Sequence, residues 1–129
     1  MARAVMVLGT TSGAGKSWLA TALCRWYARR GLKVAPFKAQ NMSNNARVVQ
    51  GREGRAGEIG SAQYFQALAA CCTPEVRHNP VLLKPTTDKQ AQVIIHGKVA
   101  FNLGAKACHD YKPRAMAAIL ASWERLTAQ

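Results

Sequence analysis

The sequence predicts an α/β fold in which helices flank a parallel sheet that is incomplete toward its C-terminal side, and three observations carry that expectation. Ala4-Val5-Met6-Val7-Leu8 is a short, nearly all-apolar run, as in a strand buried on both faces of a parallel sheet. Gly9-Thr10-Thr11-Ser12-Gly13-Ala14-Gly15-Lys16-Ser17 follows it as a glycine-rich turn. Behind the turn, Leu19, Leu23, Trp26 and Tyr27 recur on one side of a helix that begins near Lys16. Strand, turn and helix in that order let backbone N–H groups and the positive end of a helix dipole converge on a phosphate chain.

The residue types in the turn suit that chemistry. Gly13 and Gly15 allow close backbone approach, Lys16 brings a point charge to the terminal phosphates, and Ser17 offers a hydroxyl to Mg²⁺. Gly9, Thr10, Thr11 and Ala14 complete the nucleotide-binding stretch. In the common G-x-x-x-x-G-K-[ST] pattern the first glycine would fall at Thr10; here it is Gly9, one residue earlier. That longer loop resembles the loop of dethiobiotin synthetase and its relatives, which makes the expected fold P-loop NTPase-like, of the dethiobiotin synthetase-like kind.

At 129 residues and 49% hydrophobic composition the chain suits one globular domain. No apolar run is long enough to cross a bilayer, and the first residues lack the stretch of a signal peptide, so a cytoplasmic protein without a membrane partner is expected. Cys24, Cys71, Cys72 and Cys108 have neither C-x-x-C spacing nor a histidine pairing suited to zinc, and read as buried or idle thiols. The net charge of +12 is one footprint of nucleic-acid binding. The basic residues are scattered, however, and the aromatics do not interleave with Arg25, Arg29 and Arg30 as a base-stacking platform would, so no nucleic-acid partner is expected. Self-association into a homo-oligomer is left open.

Gly31 ends the first helix, and Leu32-Lys33-Val34-Ala35-Pro36-Phe37 reads as a second strand, parallel to the first through a right-handed crossover. Its far end would open near the phosphate loop. There the chain runs Lys38-Ala39-Gln40-Asn41-Met42-Ser43-Asn44-Asn45, dense in amides that suit a ligand bearing carboxylates and amides, with Lys38 placed to neutralise a phosphoryl oxygen; composition alone fits an ordinary polar loop equally well. Residues 46–57 lack periodicity and read as a mobile loop. Glu58 then opens a helix with Ile59, Ala62, Phe65, Ala69 and Cys72 on one face; its carboxylate either serves the helix dipole or ligates Mg²⁺. Asn79 to Thr86 is extended and apolar and carries Lys84 near its end, which either reaches the phosphates or is solvated. Gln92-Val93-Ile94-Ile95-His96-Gly97 reads as a strand and Gly97 with Lys98 as a turn, with His96 structural or at the surface rather than catalytic. A last helix starts near Pro113, with Asp110 placed to cap it and Met116, Ile119, Leu120, Trp123 and Leu126 on one face.

Together with the loop, Phe37-Lys38-Ala39-Gln40-Asn41-Met42, Gly57-Glu58-Ile59-Gly60-Ser61-Ala62-Gln63, Asn79-Pro80-Val81-Leu82-Leu83-Lys84-Pro85 and His109-Asp110-Tyr111-Lys112-Pro113 resemble the N-terminal part of the cobyric acid synthases over essentially all 129 residues. The resemblance implies an ATP-dependent amidoligase of cobalamin biosynthesis, which amidates peripheral carboxylates of adenosylcobyrinic acid a,c-diamide with glutamine as nitrogen donor. It assigns phosphate binding to Lys16 and the loop amides, Mg²⁺ binding to Ser17 and Glu58, the transferred phosphoryl group to Lys38, and the corrinoid to Gln40, Asn41, Asn45 and Lys84. In that family the synthetase domain continues through an acidic Glu-Gly-Ala-Gly segment to a glutaminase domain that supplies ammonia; residues 1–129 contain neither, so the resemblance implies a fragment. Cobyrinic acid a,c-diamide synthase and dethiobiotin synthetase are rival readings that Phe37 to Met42 argues against, and a partition-type DNA-binding ATPase is the rival from another class.

Overall fold

Residues 2–51, 54–88, 90–103 and 111–129 are described by the structure, a computed structural model. Three antiparallel pairs and one parallel pair build its sheets. β4 (Val81–Thr87) is apolar at its start, and Val81, Leu82 and Leu83 are all buried, as expected for a strand with neighbours on both sides. On one side β1 (Gln40–Met42) runs parallel to it, with Gln40 opposite Val81 and Met42 opposite Leu83. On the other side β5 (Gln90–Ile95) is antiparallel, and β6 (Lys98–Leu103) follows it, giving the order β1-β4-β5-β6. His96 and Gly97 join β5 to β6 with φ of 47° and 79°, the positive values that a two-residue hairpin turn matching strand twist requires.

α1 (Lys16–Ala28) and α3 (Tyr111–Thr127) form where periodicity predicts helices, and Gly31, at φ 75°, donates to the Ala28 carbonyl just past the end of α1. α3 covers one sheet face: Tyr111 and Ala115 pack with Val81, Leu83 and Val93, flanked by Ile95, Phe101, Leu103 and Ile119. The fold is thus α/β, with one parallel strand pair inside a mixed sheet.

Several elements differ from expectation. Ala4–Leu8 forms no strand, and Val5, Met6 and Leu8 are 64%, 80% and 79% exposed. Apolarity permits a buried strand but does not create one, since a ladder needs a partner for each N–H and C=O, and no strand among the described residues pairs with this run. Residues 32–37 likewise form no strand; parallel pairing starts three residues later, inside the segment that composition read as a polar loop.

Residues 46–57 are no loop. β2 (Ala46–Gln50) and β3 (Ala56–Gly60) form an antiparallel ribbon, closed by Gly51 N–H on the Arg55 carbonyl at 2.6 Å. Its stabilisation is tertiary: Val49 and Ile59 pack on Val76 and Tyr64 in a second small core. Glu58 therefore lies in β3 opposite Val48, and α2 begins three residues later, spanning Ser61–Ala69. The ribbon meets the larger sheet main chain to main chain. Glu58 N–H donates to the Gly97 carbonyl at 3.1 Å, and a Cβ on Gly57 would stand 3.1 Å from the Gly97 Cα.

The helix faces also differ. α3 buries Ala115, Ala118 and Ser122, whose small side chains let its axis lie close, and leaves Met116, Leu120 and Trp123 exposed. α1 buries Cys24 while Leu19 and Trp26 are exposed, and α2 buries Gln63, Gln66 and Ala67 while Phe65 is turned outward. The His109–Asp110 pair, the capping role given to Asp110, and Cys108 lie outside the described residues.

Candidate functional site

The glycine-rich turn leads straight into α1. Gly15 is the N-cap residue at φ 86°, with no side chain capping the helix, and Gly13 has φ 77°. Both values lie in the left-handed region that glycine enters without a Cβ penalty. No acidic residue sits in the first turn, so helix N–H groups there are left for another acceptor. A cavity of about 270 Å³ opens at this point, lined by Gly13 to Trp18. The Lys16 side chain arches back over the turn and Nζ donates to the Thr11 carbonyl at 2.6 Å. Gly9 makes room for that arch, since a Cβ there would stand 3.0 Å from Lys16 Cγ and 3.1 Å from Cδ. The loop is thus a concave, cationic, N–H-rich surface of the kind that holds phosphate. The Ser17 carbonyl accepts from Thr21 Oγ1 at 2.7 Å and from Gln66 Nε2 at 3.3 Å.

The amide-rich stretch is a second centre. Lys38 Nζ donates to Asn41 Oδ1 at 2.9 Å, and Asn41 Nδ2 donates to Gln63 Oε1 at 3.2 Å, so both ends of the buried Asn41 amide are engaged. Gly60 lies beside this chain; a Cβ on it would come within 2.1 Å of Asn41 Nδ2. Asn79, 1% exposed, ties the surroundings together: its Oδ1 accepts from Gly60 N–H at 3.0 Å, and its Nδ2 donates to the carbonyls of Lys38 at 3.1 Å and Val81 at 2.9 Å.

The other residues singled out from the sequence are placed as follows. Glu58 and Lys84 are each other's partners, with Nζ 2.5 Å from Oε2. Gln40 Oε1 accepts from the Tyr111 hydroxyl at 3.4 Å. Asn45 is exposed, and its carbonyl receives Ser61 N–H at the start of α2. His96 is structural, as expected: its Nε2 lies 2.9 Å from Ser122 Oγ and 3.2 Å from the Ala118 carbonyl, tying the β5–β6 turn to α3. Sequence reasoning missed Gln63, Gln66, Gly60 and Asn79 as a connected group. Two glutamines one turn apart on an otherwise apolar helix face were the available signal.

The residues fit a nucleotide better than they fit a free-standing metal site. The loop has the cradle, the cation and the open N–H groups. For a divalent cation there is Ser17 at the loop, while the Glu58 carboxylate is already neutralised by Lys84. Among the described residues no cluster of three or more His, Cys, Asp or Glu is arranged to hold a metal ion.

Residues 5–126 match the model of the CobQ/CobB/MinD/ParA nucleotide binding domain, CbiA. The chain belongs to that family. Its fold is accordingly P-loop NTPase-like, and the glycine-rich loop described above falls within the matched residues. The chain is also similar to cobyric acid synthases. That of Methylibium petroleiphilum is 78% identical over 104 residues, covering 81% of this chain and 20% of its own. Those of Variovorax paradoxus and Acidovorax sp. are 61% and 60% identical over 127 and 128 residues, covering 98% and 99% of this chain and 26% of theirs. This chain therefore spans a fifth to a quarter of the length of these relatives. No solved structure matches it. Among the described residues no helix is long and apolar enough to cross a membrane.

Proposed function

We propose that residues 1–129 are the ATP-handling part of a synthetase domain of the cobyric acid synthase type, acting in the ATP-dependent, glutamine-supplied amidation of adenosylcobyrinic acid a,c-diamide to adenosylcobyric acid. The observation that carries this reading is the pairing of a phosphate loop with the Lys38–Asn41–Gln63 chain, which a generic nucleotide switch does not need. The similarity to cobyric acid synthases across both segments supports it.

A carboxylate is a poor electrophile. Its oxygen takes the γ-phosphoryl group as ADP leaves, and ammonia then attacks the activated carbonyl as phosphate leaves, so the protein's work is positioning and charge neutralisation. Lys16 exchanges the Thr11 carbonyl for phosphate oxygens, and the N–H groups from Gly13 to Ser17 hold the chain of phosphates. Lys38 faces the group in transfer, restrained by Asn41. Gln40 and Asn45 offer amides to the corrinoid periphery, Asn41 acts through Lys38, and Lys84 meets a substrate carboxylate when it parts from Glu58. Ser17 would hold the Mg²⁺ that accompanies ATP and shields its charge, with Glu58 the carboxylate candidate once it parts from Lys84. A glutaminase domain elsewhere in the full-length protein is the ammonia source, and the cytoplasm is the compartment where these substrates meet.

The test is binding by the chain itself. Equilibrium dialysis against the coloured corrinoid, with and without MgATP, is expected to show retention that ATP strengthens and that Lys16→Ala abolishes. A chain that ignores both ligands, or that instead holds random duplex DNA with steep salt dependence, overturns the reading in favour of the partition-type alternative.

A further inference from the structure

Gln63 and Gln66 stand one turn apart on α2, and they are only 3% and 5% exposed. Burying two primary amides on the core face of a nine-residue helix is unfavourable unless each is hydrogen-bonded. Each is bonded, and to a different part of the machinery. Gln66 Nε2 reaches the Ser17 carbonyl in the first turn of α1, and Gln63 Oε1 receives Asn41 Nδ2, whose own oxygen receives Lys38 Nζ. Gly60, at the N-cap of the same helix, leaves the space in which Asn41 and Gln63 meet, since a Cβ there would stand 2.9 Å from Gln63 Oε1.

We propose that Gln63 and Gln66 are positioning residues that use α2 as a rigid spacer between the phosphate loop and Lys38. The proposal rests on the ATP-handling reading given above. Three residues of helix, a rise of about 4.5 Å, fix the offset between the two glutamines, so the start of α1 and the Lys38 ammonium are referred to one rigid body. A flexible lysine held this way loses its rotamer freedom before ligand arrives, which favours a ligand long enough to reach both centres. Gln66 thereby serves any nucleotide, whereas Gln63 serves the terminal phosphate in particular.

The test uses Trp18, which adjoins Ser17 and is 83% exposed, as an intrinsic fluorescence probe in titrations of the chain with MgATP and MgADP. Gln63→Met is expected to lose about fivefold in ATP affinity, the worth of one net hydrogen bond, with ADP affinity unchanged. Gln63→Glu, whose carboxylate accepts from Asn41 Nδ2 in the same way, is expected to restore the preference for ATP. Gln66→Met is expected to weaken both nucleotides alike. In the unmodified chain, NMR signals of the Asn41 and Gln63 side-chain amides are expected to move with ATP and stay with ADP, a readout independent of how the variants fold. Equal losses for ATP and ADP in Gln63→Met, no change in any variant, or amide signals indifferent to the γ-phosphate each overturn the proposal. Failure of the unmodified chain to bind either nucleotide overturns the underlying reading as well, so the two failures are distinguishable.

Discussion

Glu58 and Lys84 sit on strands of two different sheets, β3 of the ribbon and β4 of the larger sheet, and their charged atoms meet at 2.5 Å. The pair is partly open to solvent, with side chains 37% and 24% exposed, so its worth is limited by screening. A double-mutant cycle on Glu58→Gln and Lys84→Met, read by urea unfolding, is expected to give a coupling of about 0.5–1 kcal/mol that shrinks as salt rises. A coupling that salt leaves unchanged would show that the contact is not chiefly ionic.

Asn79 is a sharper case because all its bonds are buried. Replacing it with Leu keeps the volume and orphans the Gly60 N–H and two carbonyls together. Each unsatisfied buried group costs about 1–3 kcal/mol, so Asn79→Leu is expected to destabilise the fold by roughly 3 kcal/mol or more. Denaturant midpoints at an unchanged m-value check this.

His78 gives the fold a pH dependence. Burial lowers its pKa from 6.5 to about 4, with Glu75 pulling the other way and Arg77 adding to the lowering. Its Nδ1 accepts from Glu75 N–H at 3.1 Å, a bond that needs the unprotonated nitrogen. Between these two pKa values the unfolded chain binds the proton and the folded chain does not, so the contribution is fully present above pH 6.5 and is lost as pH falls toward 4. The loss is on the order of 3 kcal/mol. Urea titrations across this range are expected to show the decline in the natural chain and a shallower one in His78→Gln.

Thiol chemistry is expected to separate the cysteines. Burial, with the neighbouring Cys72 thiol adding to it, pushes Cys24 up to about 11, and Cys72 is raised for the same first reason, while Cys71 is exposed and accepts from Arg25 Nη1 at 3.1 Å. Mass spectrometry after brief iodoacetamide treatment near neutral pH is expected to find Cys71 modified well before Cys24. Equal labelling would mean that the α1–α2 packing opens readily.

The glycine-rich turn ahead of α1 was legible because its glycines and lysine are consecutive residues, and the β5–β6 turn because Gly97 marks it. The ribbon was not, because Val49, Ile59 and Val76 find one another across long sequence separations and residues 46–57 carry no local period. Ala4–Leu8 and residues 32–37 show the opposite error, since their composition suits a strand but names no partner. The helix faces were misread for a single reason: periodicity locates the large apolar side chains, whereas α2 and α3 pack through alanine, serine and hydrogen-bonded glutamine. Lys38 was singled out, but its link through Asn41 to Gln63 depends on a helix placed by contacts no local pattern encodes.

The join at Gly57 and Gly97 carries an evolutionary constraint. Where two elements touch through side chains, a lineage can drift by trading one residue for a slightly larger or smaller one and letting its neighbour adjust. Here a Cβ on Gly97 would stand 2.5 Å from Val76 Cγ1, which can turn aside, but also 2.7 Å from the Gly57 Cα and 2.8 Å from the Glu58 nitrogen, which cannot. Gly97, which also holds φ 79°, is therefore confined to the smallest residue, and the angle between ribbon and sheet hangs on that single position.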